Sequence, residues 1–150
     1  MSARFVAAIW LSFVTVVWST TPVIPEWARP QWETFARSHT LTFSTRITPV
    51  MLQGDFDGDG RIDIALFVEN TKNHKQGIVF LHQSGAGPFV VGAGTPLGNG
   101  GDDFEWMDSW AVKRRSAKLR TDAVLLMRES SASGLVYFEG GHYRWKQQGD

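Results

Sequence analysis

The chain has 150 residues, enough for one domain of ordinary size, and 43% apolar residues with seven Trp and ten Phe supply ample material for one core. Fifteen basic and fifteen acidic residues cancel, and no Lys/Arg run stands clear of acidic neighbours, which argues against nucleic acid or an anionic membrane as partner. No cysteine is present, so disulfides, thiolate metal sites, a cysteine nucleophile and a lipidated N-terminal cysteine are excluded.

The first twenty residues have the layout of a signal peptide: Arg4 as the positive region, an apolar run from Phe5 to Trp18, then Ser19-Thr20-Thr21-Pro22. Fourteen residues, apolar apart from Ser12 and Thr15, fall short of the roughly twenty that a helix needs to cross a membrane. The expectation is a cleaved segment over residues 1–20, an exported product in the periplasm or medium, and no stable membrane insertion. One β-rich domain follows over 21–150.

Pro22 and Pro25 lead into Pro30-Gln31-Trp32-Glu33-Thr34-Phe35-Ala36-Arg37, where Pro30 suits the first position of a short helix because its missing N–H costs nothing there. Trp32 and Phe35, three apart, share the face that packs on a sheet. Leu41 to Thr45 alternates apolar with polar, as a strand wet on one side does, and Pro49 ends it. Ile62 to Val68, apolar apart from Asp63, reads as a strand buried on both faces. Gly77-Ile78-Val79-Phe80-Leu81 is its hairpin partner across the polar turn Asn70 to Gln76.

Asp63 to Val68 followed by Gly77 to Leu81 is echoed by Asp122 to Met127 followed by Gly134 to Phe138, which suggests two related hairpin units. The stretch from Gly85 to Gly101, with glycine at 92, 94, 98, 100 and 101, reads as a loop over the sheet edge. The fold expected is mainly β: an antiparallel arrangement of two hairpin units, as a small sandwich or a partial propeller-like sheet, with a short N-terminal helix against it.

The most specific segment is Asp55-Phe56-Asp57-Gly58-Asp59-Gly60-Arg61-Ile62-Asp63. Calcium takes six to eight oxygens at roughly 2.3 to 2.6 Å, so several carboxylates must converge. In a curled loop Asp55, Asp57 and Asp59 offer side-chain oxygens, Gly60 the sharp turn, Arg61 its carbonyl and Asp63 the closing carboxylate. An EF-hand would place Glu at the twelfth loop position within a helix; that position is Leu66, inside a predicted strand. The expectation is one calcium ion, in a structural role.

These residues, a Gly-Asp-Phe-Asp-Gly-Asp-Gly-x-x-Asp loop running into an apolar strand, resemble the FG-GAP/VCBS repeat of integrin α-subunit propellers and of many secreted bacterial proteins. The resemblance covers Gly54 to about Leu81, and it implies calcium ligation by Asp55, Asp57, Asp59, Arg61 and Asp63. Propellers have at least about four blades, whereas this chain offers one loop-bearing unit and a loopless echo at Asp122, so a closed propeller is excluded for a monomer. The pattern is similar to small exported bacterial proteins with a single such unit.

Other polar groups are less diagnostic. Asp102-Asp103-Phe104-Glu105-Trp106-Met107-Asp108 reads as a solvated loop with its tryptophans turned inward, the other reading being a sugar-binding surface through Trp106 and Trp110. His39, His74, His82 and His142 lack zinc-type spacing and read as surface or packed residues. No Gly-x-Ser-x-Gly elbow supports a hydrolase, and no catalytic residue is assigned. The leading function is a calcium-stabilised, non-catalytic module that binds a protein or glycan through the Gly-rich loop and nearby aromatics. The alternatives are a small hydrolase using Glu129 with His142 or the Asp102 cluster, and a structural envelope protein. An exposed sheet edge leaves room for a homodimer.

Overall fold

A computed structural model describes residues 21–129 and 131–149. The expected signal peptide lies outside the described residues. Among the described residues the main elements are a helix α1 (Arg29–His39) and nine strands: β1 (Leu41–Phe43), β2 (Met51–Gly54), β3 (Asp63–Asn70), β4 (Gln76–Leu81), β5 (Phe89–Gly92), β6 (Ser109–Lys113), β7 (Ala123–Met127), β8 (Ser133–Glu139) and β9 (His142–Gln148). They form two antiparallel sheets that do not close into a barrel.

In the first sheet β1 and β2 share one edge position. Both pair with β3, β1 through Phe43 opposite Val68 and β2 through Met51 opposite Leu66. Between them the chain bows out around the cis Thr48–Pro49 bond. Arg46 in that bow reaches inward, its Nη1 donating to the Met107 carbonyl at 2.8 Å and its Nε to Gln76 Oε1 at 2.6 Å. The order then runs β3, β4, β5. The second sheet is the meander β6-β7-β8-β9.

Three layers result, and the side-chain alternation of a strand explains them. Ala65 and Phe67 of β3, with Ile78 and Phe80 of β4, join Val124, Leu126 and Val136 of the second sheet in one core. The alternate residues Ile64, Leu66, Val68, Val79 and Leu81 point the other way and are covered by Ala28, Trp32 and Leu41. That double cover makes β3 apolar on both faces, as its sequence predicts. Helix α1 begins with Pro in its first turn and ends at Thr40 in the left-handed region. Trp32 stacks on Phe43 with centroids 4.6 Å apart, and Phe35 packs partly buried against the same cluster.

Several expectations need correcting. The Gly-rich stretch is not a loop over the edge, because Phe89–Gly92 is itself the edge strand β5, followed by a 3₁₀ turn at Gly98–Gly100. Two of its glycines allow close packing: a Cβ on Gly92 would meet the Gln76 carbonyl and one on Gly100 the Trp145 indole, each at 2.8 Å. The strand after the Asp loop starts at Asp63, leaving Ile62 half exposed. The second unit lacks the acidic loop, as expected, although residues 114–122 separate β6 from β7 much as residues 55–62 separate β2 from β3. On β8, Gly134 lies directly under Trp145 of β9, where a Cβ would come within 1.9 Å of the indole.

Candidate metal centre

The Asp loop turns twice through glycines with positive φ, Gly58 at 80° and Gly60 at 87°, a region that side chains with a Cβ rarely enter. Between these turns each aspartate spends one oxygen on the loop backbone. Asp55 Oδ2 accepts from the Gly60 N–H at 3.0 Å, Asp57 Oδ1 from Asp59 at 3.0 Å, and Asp59 Oδ1 from Arg61 at 2.8 Å. Asp63, the first residue of β3, holds the start of the loop through the N–H groups of Phe56 and Asp57 and the start of the next turn through Gln83. These bonds fix the curl without using up the carboxylates. Phe56, fully buried and packed edge-on to Phe80 at 5.4 Å, anchors the loop in the core.

The curl brings one carboxylate oxygen each of Asp55, Asp57 and Asp63 within 4.8 Å of one another, so the cluster could hold a metal ion. Asp59 is not brought into it; its carboxylate turns outward, 4.0 Å from the Arg61 guanidinium. The Asp55 and Asp57 side chains are only 6% and 10% exposed, and Asp63 is fully buried. Asp55 Oδ1 is buried with no hydrogen-bond partner, so its lone pairs are free to ligate a cation. Burial pushes the Asp63 carboxyl up to about 6, and the Asp57 carboxylate adds to the rise against the pull of three backbone amides. Among the described residues, the guanidinium that reaches the cluster is that of Arg115, 3.5 Å from Asp55 Oδ2 and more than half exposed. The donor set is therefore all oxygen, anionic and short of positive charge, which fits a hard divalent cation.

One residue that sequence reading left among the packed or surface histidines belongs to this site. His82 follows β4 directly, in step with Ile78 and Phe80, so alternation alone directs it inward. It is fully buried; its Nε2 lies 2.6 Å from the Tyr143 hydroxyl and its Nδ1 3.5 Å from Asp57 Oδ2. The second distance is within ion-pair range but makes no hydrogen bond, leaving Nδ1 without a partner. Burial lowers the His82 pKa and outweighs the nearby carboxylates of Asp57, Asp59 and Asp55. Tyr143 is pushed well above its ordinary value, first by burial and then by Asp63 and Asp57.

The other nominated residues do not assemble. Glu129, after β7, and His142, which opens β9, are exposed at opposite ends of the seven-residue strand β8. At about 3.3 Å per residue they lie roughly 20 Å apart, too far for an acid–base pair. The second acidic segment is held structurally: Asp102 pairs with Lys75, Asp103 accepts from the Gln76 and Glu105 N–H groups, and Asp108 from that of Glu129. Trp110 is buried, its Nε1 donating to the Pro49 carbonyl at 2.7 Å, so it presents no face to a sugar. Trp106 is half buried against Trp145. His39 stacks on Phe35 and His74 faces Glu69, both on the surface.

Among the described residues no helix is long and apolar enough to cross a membrane. Compared with known proteins, the chain matches no family model, no curated protein and no solved structure.

Proposed function

We propose that this chain is an exported, non-catalytic module whose Asp55–Asp63 loop binds one structural calcium ion. The observation that carries this reading is the convergence of three nearly buried carboxylates around an Asp55 oxygen that has no donor of its own. The resemblance of the loop to FG-GAP/VCBS calcium loops supports the same metal, with Asp59 and the Arg61 carbonyl completing the shell as the loop tightens. Calcium is preferred over magnesium because Mg²⁺ retains waters and demands strict octahedral geometry, whereas this site offers crowded carboxylates and little room for water. A structural role is supported by the same burial: catalysis needs an open coordination position, and these carboxylates face inward. The stiffened module would then present its surface to a protein or glycan partner.

Calorimetric titration of calcium into chelator-stripped protein tests the reading, with thermal melts of wild type and Asp57→Ala alongside. One equivalent should bind, and at a hundredfold excess over Kd the melting point should rise by about 10 °C, corresponding to roughly 2.7 kcal/mol. Asp57→Ala should abolish both. Absence of heat and of any shift at millimolar calcium would reduce the loop to a turn.

A further inference from the structure

We propose that His82 is a positioning residue for the cation site, holding the Asp57 carboxylate through Nδ1–H while Tyr143 of the facing sheet fixes that tautomer. The inference rests on the calcium reading above and adds a group outside the loop to it.

A neutral imidazole offers one N–H and one lone pair, and the two partners of His82 are chemically unequal. An ionised Asp57 can only accept. Tyr143 can donate or accept, and its hydroxyl is 2.6 Å from Nε2. The arrangement that satisfies both sides puts the hydrogen on Nδ1, toward Asp57, and directs the Tyr143 O–H to the bare Nε2. The opposite tautomer would aim the Nδ1 lone pair at a carboxylate inside a fully buried pocket, an uncompensated repulsion. Packing keeps the ring from turning away: Phe89 and Phe138 lie with centroids 5.0 Å from the imidazole on different sheets, and Tyr143 is itself stacked on Phe80 at 3.8 Å.

The Nδ1 to Oδ2 separation of 3.5 Å is a few tenths of an ångström beyond a hydrogen bond. Asp57 Oδ1 accepts from the Asp59 N–H at 3.0 Å and Oδ2 from the exposed Ser84 hydroxyl at 3.3 Å, which leaves Oδ2 a second lone pair for His82 and the carboxylate a small rotation. A donor behind a ligating carboxylate selects its rotamer and tunes its basicity, and loss of such partners commonly weakens metal binding 10- to 100-fold. The chain Asp57–His82–Tyr143 thus carries the orientation of a loop residue into the second sheet.

The test combines spectroscopy with binding. In ¹⁵N-histidine-labelled protein, long-range ¹H–¹⁵N correlations should report His82 as the Nδ1–H tautomer, with and without calcium. Calcium affinity should fall about 10- to 100-fold in His82→Leu. His82→Asn, whose amide nitrogen can take the place of Nδ1, should recover most of it. Tyr143→Phe keeps the ring stack, so it should bind calcium more weakly and give mixed tautomer signals. An Nε2–H or doubly protonated ring in wild type overturns the proposal even if a variant fails to fold. Equal affinity in wild type and His82→Leu overturns it while leaving the calcium reading intact. Failure of wild type to bind calcium ends both.

Discussion

The two loops that enter the central strands make an instructive pair. Residues 55–63 and 114–122 are each nine long, and each closes on an aspartate at the head of a strand, Asp63 fully buried and Asp122 5% exposed. Before that aspartate the charges are inverted or removed: Arg114 stands where the first loop has Asp55, neutral Ser116 where it has Asp57, and Lys118 where it has Asp59. Burial would raise both terminal carboxyls, yet the results are opposite. At Asp122 the amides of Arg115 and Asp55 and the Arg114 guanidinium, 2.8 Å away, outweigh burial and hold the carboxyl below its ordinary value. At Asp63 no cation among the described residues offsets burial, and the carboxyl is pushed up. The second loop carries its counter-charge covalently, whereas the first has carboxylates where that charge would be and forms a cluster that could hold a metal ion. The loops also interlock, Asp55 N–H donating to Asp122 Oδ2 and Asp122 N–H to the Asp55 carbonyl, each at 3.0 Å.

The largest difference to test is at the second position, where Phe56 is buried in the core and its counterpart Arg115 is exposed. Phe56→Ala should cost about 3–5 kcal/mol in urea unfolding, and Arg115→Ala within about 0.5 kcal/mol. Similar losses would mean that the loops are not anchored differently. Next comes Asp122→Ala, which leaves the N–H groups of Asp55 and Arg115 without their acceptor. It should cost roughly 2–3 kcal/mol with or without calcium, whereas the cost of Asp57→Ala should appear only in the presence of the ion.

The titration behaviour should also diverge. A raised Asp63 pKa means that its favourable contribution to metal-free stability is complete below the ordinary 3.8 and is lost as pH rises through about 6. Calcium takes the ionised form, so its affinity should weaken as pH falls below about 6, approaching tenfold per unit; calorimetry between about pH 5 and 7 would read this. Asp122, with a lowered pKa, should give the reverse slope: a contribution present above 3.8 and lost as pH falls through its lower value. The smallest effect belongs to Arg114→Ala. Its side chain is 68% exposed, so the loss should be about 1 kcal/mol or less and should fade with added salt.

Much of this was legible in the sequence where local pattern and chemistry agree. The hairpin of β3 and β4, the helix before β1 and the convergence of Asp55, Asp57 and Asp63 follow from alternation, Pro at a helix start and acid spacing. The outward turn of Asp59 was not legible, because no spacing rule says which oxygen bonds the backbone. Strand β5 was hidden by glycines that look like a loop but permit close packing on β4, where a Cβ at Gly77 would meet the Val91 carbonyl at 2.4 Å. Strand β9 was hidden by its polar outer face, although Tyr143 and Trp145 alternate as an edge strand should. The role of His82 depends on Tyr143, 61 residues away, and no local signal carries that separation.

Contacts of that range recur. Asp55 to Asp122 spans 67 residues, while His82 to Tyr143, Arg46 to the Met107 carbonyl and Trp110 to the Pro49 carbonyl each span 61. All of them tie the first half of the molecule to the second, so none can form until the second half of the chain has been made. The helix and first sheet can pair through short connections as soon as they leave the ribosome, but Ala65, Phe67, Ile78 and Phe80 then form a bare apolar wall until the second meander arrives. The second meander is therefore what turns an open apolar face into a closed core.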